Sequence, residues 1–123
     1  MEMIGRLVGT LFLAREYAHR VHLRVHGPGS FAQHSALGDF YEEIIEKADS
    51  IVETYQGRHD LIDIPYLDMI EEENPVKALE QLLKDVEDIR YDAVDKKDTA
   101  IQNLIDEAVA TFLHTLYKLR NLK

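Results

Sequence analysis

The chain has 123 residues, no cysteine and no tryptophan, and 23 acids against 14 bases give it a formal charge of −9. That length suits one domain, 1–123, and the missing cysteine excludes disulfides, thiolate metal sites, iron–sulfur clusters and a cysteine nucleophile. The acidic balance argues against nonspecific DNA binding, in which neutralised phosphates supply most of the affinity.

No apolar run approaches the roughly 20 residues that a bilayer span needs. The opening MEMIGRLVGT does not read as a signal peptide, because Glu2 and Arg6 interrupt it. A soluble, cytoplasmic protein without a membrane partner is expected. Charge is distributed unevenly. Residues 1–38 hold four Arg, two acids and four of the six His, whereas 39–98 hold 19 acids and seven bases.

Four helices are predicted in chain order. The first runs from about Met3 to about His26, with Ile4, Leu7, Val8, Leu11, Ala14, Ala18, Val21 and Val25 on one face. Gly27-Pro28-Gly29 stops it. Ser30 and Gln33 form a capping-box pattern for the second helix. That helix carries Leu37, Tyr41, Ile44, Ile45, Ala48, Val52 and Tyr55 to about Gln56, with Gly57 placed to end it. Residues 58–73 are irregular and broken by Pro65.

Asn74-Pro75 supplies an N-cap and a first-turn proline for the third helix, which runs to about Asp92. After a short polar link, the fourth helix runs from about Thr99 to Leu122. No strand-period segment competes, so the expectation is an all-α four-helix bundle. The link between helices 2 and 3 extends to about 55 Å, more than the second helix's length of about 39 Å. One long crossover, as in ferritin-like folds, is therefore permitted.

His22 and His34 each lie near the Gly27-Pro28-Gly29 turn and should face each other at one level of the hairpin. Two imidazoles so placed can ligate a metal, although hydrogen-bonded helix-end histidines are the commoner case. On the second helix, Asp49 and Glu53 form an i, i+4 pair able to hold a cation together. Burying them unpaired would be costly, which favours a metal between them. Asp49 follows His34 by 15 residues, about 22 Å along the helix. One site using both needs a second subunit, packed antiparallel across a two-fold axis, and a C2 dimer would then make two equivalent sites.

The stretch from His22 to His34, then Gly38-Asp39-Phe40-Tyr41, then Asp49-Ser50-Ile51-Val52-Glu53 resembles the signature of Dps-type mini-ferritins. His22, His34, Asp49 and Glu53 match four positions of that pattern without a gap. The resemblance implies a ferritin-like fold, iron as the metal, and Fe(II) oxidation at a ferroxidase site shared between two subunits, with a larger hollow cage as the assembly. The family's further carboxylate falls on Gly38, leaving Asp39 beside it as an additional candidate ligand, and the family's Lys-rich DNA-binding tail has no counterpart. AQHSALGDFYEEI and IQNLIDEAVATFLHTLYKLR look closer still to small ferritin-like proteins of tailed phages, which implies the cytoplasm of a bacterium or a phage-infected cell.

An alternative keeps the bundle without iron chemistry. A phage-encoded oligomer of this kind would sequester a small nucleotide signal, with Arg15, Arg20, Arg24 and His26 as phosphate contacts. A third reading is a purely structural helical oligomer. A different divalent metal in place of iron remains open at this stage.

Overall fold

A computed structural model describes residues 2–123 and contains α1 (Met3–His22), α2 (Ser30–Arg58), α3 (Pro75–Ala93) and α4 (Thr99–Asn121). Met1 lies outside the described residues. The four-helix expectation therefore holds, and no described helix is long and apolar enough to cross a membrane.

Around the bundle, α1 packs on α2 and α3, and α4 packs on α2 and α3. The link 59–74 is the crossover. It lies along α1 from start to end: Asp63 sits against Gly5, Pro65 against Gly9, and the Glu72 carbonyl accepts from the Tyr17 hydroxyl at 2.5 Å. A Cβ on Gly5 would stand 2.3 Å from the Asp63 carbonyl oxygen, so only glycine lets the backbones approach this closely. The crossover returns the chain to the end where α2 began, so α2 and α3 run parallel and every adjacent pair of helices is antiparallel.

The apolar stripes meet in one core. Phe40 of α2 and Phe112 of α4 cross edge to face at 5.0 Å, with Leu7, Leu11, Ile44, Leu79, Ile101 and Ile105 fully buried around them. Each such side chain contributes about 1.5–3 kcal/mol of burial.

Helix ends depart from the sequence reading in three places. α1 stops at His22 rather than His26: Leu23 and Arg24 turn back to the carbonyls of Arg20 and Val21, and the His22 carbonyl accepts from the His34 ring. That side-chain donor replaces the N–H that a further helical turn would supply. Ser30 is not an N-cap. Gly29, left-handed at φ 82°, occupies that position without any side-chain cap, so the capping box does not form. Gly57 does not end α2, which runs one residue further to Arg58, where an Arg58–Asp98 ion pair at 2.8 Å ties it to the start of α4. Asn74 caps α3 as expected, accepting from the Val76 and Lys77 N–H groups.

Candidate functional site at the end of the first hairpin

The turn between α1 and α2 sets His22 and His34 face to face. Their rings stack at 3.8 Å between centroids, 18° from parallel. Each ring also reaches the other residue's backbone: His22 Nδ1 lies 2.8 Å from the His34 carbonyl oxygen, and His34 Nδ1 lies 2.8 Å from the His22 carbonyl oxygen. A carbonyl can only accept, so both Nδ1 atoms carry the proton and donate. In the neutral rings both Nε2 lone pairs are then free. Neither has a hydrogen-bond partner among the described residues. A ring held through Nδ1–H with an open Nε2 is the usual preparation of a metal-binding histidine.

Gly38 makes this clasp possible. It lies one turn after His34, under the His22 ring, and a Cβ there would stand 3.2 Å from Cε1 and 3.4 Å from Nδ1. The position where the resemblance called for a carboxylate is therefore occupied by the imidazole itself. Tyr41 and His19 extend the aromatic group. His19 stacks on Tyr41 at 4.3 Å, Tyr41 meets the His22 ring edge-on at 5.3 Å, and the Arg15 guanidinium carbon is 6.0 Å from the Tyr41 centroid. Sequence reasoning placed Tyr41 only in the apolar stripe and gave His19 no part. Their i and i+3 or i+7 spacing from His22 and His34 was the available signal.

The stacked geometry constrains ligation. A lone pair lies in its own ring plane, and two nearly parallel planes 3.8 Å apart do not meet within the roughly 2.0–2.1 Å of a metal–nitrogen bond. As they stand, the two rings offer donors to two different ions. Among the described residues no group of three His, Asp or Glu converges on one ion, so a single protomer supplies only part of a site.

The expected carboxylates lie elsewhere on α2. Asp49 and Glu53 are exposed, and neither has an ion pair among the described residues. The expectation that they would be costly buried charges does not hold in the protomer, because the helix turns them to solvent. Asp39 is also exposed, and its carboxylate pairs with Lys118 of α4 at 3.5 Å.

Of the cations in the alternative reading, Arg20, Arg24 and His26 border cavities and Arg15 borders neither of these. Arg15 lies against Tyr41, on the α2 side of α1. Arg20 is held by Glu16 at 2.8 Å. Arg20 and Arg24 border a cavity of about 520 Å³ that also contains Glu71, Glu72 and Glu73. Arg24 and His26 border a second, of about 400 Å³, with Glu73. Acids outnumber the cations around the larger cavity, a poor match to a phosphate cluster.

Sequence reasoning also missed a buried polar network in the second hairpin. Arg90 donates to the Gln102 side chain (2.9 Å) and carbonyl (2.9 Å) and to Asp106 (2.7 Å). Gln102 in turn donates to the Val94 carbonyl at 3.0 Å.

Residues 22–119 match the model of a family of unknown function, DUF5856. No curated protein and no solved structure matches the chain.

Proposed function

We propose that this chain, which belongs to the DUF5856 family, binds divalent metal as a homodimer and takes Fe(II) as its substrate, in the manner of the Dps-type mini-ferritins it resembles. Each of two equivalent sites would combine His22 and His34 of one protomer with Asp49 and Glu53 of the partner subunit. The observation that carries this reading is the reciprocal clasp, which fixes two imidazoles and leaves both Nε2 atoms without a partner. The crossover topology, which ferritin-like folds share, supports it further.

The roles follow from donor chemistry. The histidines supply nitrogen donors of fixed direction. The carboxylates supply hard oxygen donors and neutralise cation charge. Exposed, unpaired Asp49 and Glu53 are free to face a second copy. Two ions, one per ring, would share these carboxylates, and Gly38 leaves the set one carboxylate short of the mini-ferritin pattern. One ion is therefore expected to bind tightly and the other loosely.

The test is anaerobic loading of the apo-protein with Fe(II), followed by peroxide, with ferric absorbance and light-scattering mass recorded together. Rapid oxidation with a stoichiometric metal count in a dimer or larger assembly supports the reading. Absence of binding and of oxidation overturns it and reduces the four-residue match to a likeness of fold.

A further inference from the structure

Arg15 holds the one buried side-chain nitrogen or oxygen among the described residues that lacks a hydrogen-bond partner, its Nε. Its remaining contacts are weak. The guanidinium lies over Tyr41, and its Nη1 stands 3.7 Å from Glu16, which Arg20 already engages at 2.8 Å. Nε is closed off from solvent, so a second subunit can meet only the Nη end of a side chain that is 38% exposed, and a guanidinium end of this kind pairs best with a carboxylate. Within the protomer the carboxylate beside it is Glu16, at 3.7 Å and shared with Arg20.

Helical register says where one would come from. If His34 meets Asp49 of the partner subunit across a two-fold axis, the axis crosses α2 midway between residues 34 and 49, at Tyr41 and Glu42. Arg15 lies at this level, leaning from α1 over Tyr41. Glu42 is exposed and has no ion pair among the described residues. On a helical wheel it lies about 20° from Asp49, so a partner that meets Asp49 also meets Glu42. Without a cation between them, the two copies of Glu42 would approach each other at the axis and repel.

We infer that Arg15 crosses the two-fold interface to Glu42 of the partner subunit, and that this pair, made twice, sets the register in which the dimer forms. The inference rests on the shared-site reading, because that reading fixes the axis. It names the second copy of this chain as the ligand of the α1–α2 face. It also gives Arg15 a role other than phosphate binding: both copies are used within the dimer, and neither is left for a nucleotide.

Charge reversal tests it. Dimer dissociation is measured by light scattering or sedimentation for the parent, Arg15→Glu, Glu42→Arg and the doubly reversed chain, with circular dichroism to confirm that each remains helical. Each single reversal is expected to weaken dimerisation about tenfold or more, since it sets like charges together twice per interface. The double reversal should return it close to the parent. Singles that dimerise like the parent, or a double as weak as the singles, overturn the pairing.

An Fe(II) titration of the same samples separates the two claims. A parent that dimerises and binds metal, with no rescue by the double reversal, leaves the shared site standing without this pair. Rescue in a dimer that binds no metal keeps the pair and removes the site. A monomeric parent overturns both.

Discussion

The two hairpins of the bundle solve the same problem differently. Each must satisfy polar groups where one helix ends and the next begins. At the α3–α4 end, Arg90 and Gln102 are 8% and 6% exposed, and their donors go to neighbouring oxygens of the same protomer. At the α1–α2 end, His22 and His34 use one nitrogen each to tie the helices and keep the other open. The first arrangement is consumed by the fold. The second holds the fold and retains capacity for a ligand. A cluster of polar side chains at a helix junction is thus a functional candidate only to the extent that its hydrogen-bonding groups are not already used.

Substitutions can break or sharpen that contrast. The largest loss of stability is expected at the consumed network. Arg90→Ala leaves Gln102 and Asp106 without their donor and should cost about 2–4 kcal/mol. Urea unfolding measures the loss, and metal binding per folded chain should stay at the parent's level.

His34→Ala removes one arm of the clasp and the ring stack. It should cost about 1–2 kcal/mol and abolish metal binding, the opposite partition to Arg90→Ala. A variant that bound iron like the parent would remove His34 from the site.

Gly38→Ala separates the clasp's two roles more finely. Replacing glycine in a helix gains about 1 kcal/mol, while a Cβ 3.2 Å from the His22 ring forces that ring to give by a few tenths of an ångström and strains its orienting hydrogen bond to the His34 carbonyl. Net stability should change by less than about 1 kcal/mol, yet metal affinity should fall about 10–100-fold, as it does when an orienting hydrogen bond is lost. Isothermal titration beside thermal unfolding distinguishes the two effects.

Tyr17→Phe is expected to act least: it removes the hydrogen bond to the Glu72 carbonyl, at about 0.5–1 kcal/mol near neutral pH, and its difference from the parent should vanish in alkali. Burial, reinforced by the Glu72 carboxylate and opposed by Arg24, pushes the Tyr17 hydroxyl up from 10.0 to about 12. A raised value means that the protonated hydroxyl stabilises the fold fully below pH 10 and that this contribution fades as pH climbs through 12. The parent should lose stability over that window, and Tyr17→Phe should flatten the slope. Both sites described above should be unaffected.

Much of this architecture was legible because it rests on periodicity. The stripes of α1, α3 and α4 have strong helical spacing, and Asn74-Pro75 marks a boundary through local chemistry alone. The meeting of His22 with His34 was also legible, since a short turn forces residues equidistant from it to one level. Features decided by tertiary contact were not. α1 ends early because a ring 12 residues away satisfies its last carbonyl, and no local signal announces that. Gly29 displaced Ser30 as cap through a backbone angle that the sequence permits without requiring. Asp39 was a plausible ligand until α4 brought Lys118 beside it. The exposure of Asp49 and Glu53 depended on which side of α2 the α1 and α4 contacts covered.

The central claim is that one site draws on two chains, and subunit mixing tests it most directly. His34→Ala and Glu53→Ala should each bind no metal alone. Unfolded together and refolded at equal amounts, half of the dimers are mixed. Each mixed dimer holds one intact site, with His22 and His34 from one chain and Asp49 and Glu53 from the other, so about a quarter of the parent's sites should return. A mixture that stays empty while the parent binds, or a variant that binds metal alone as the parent does, would contradict the shared site.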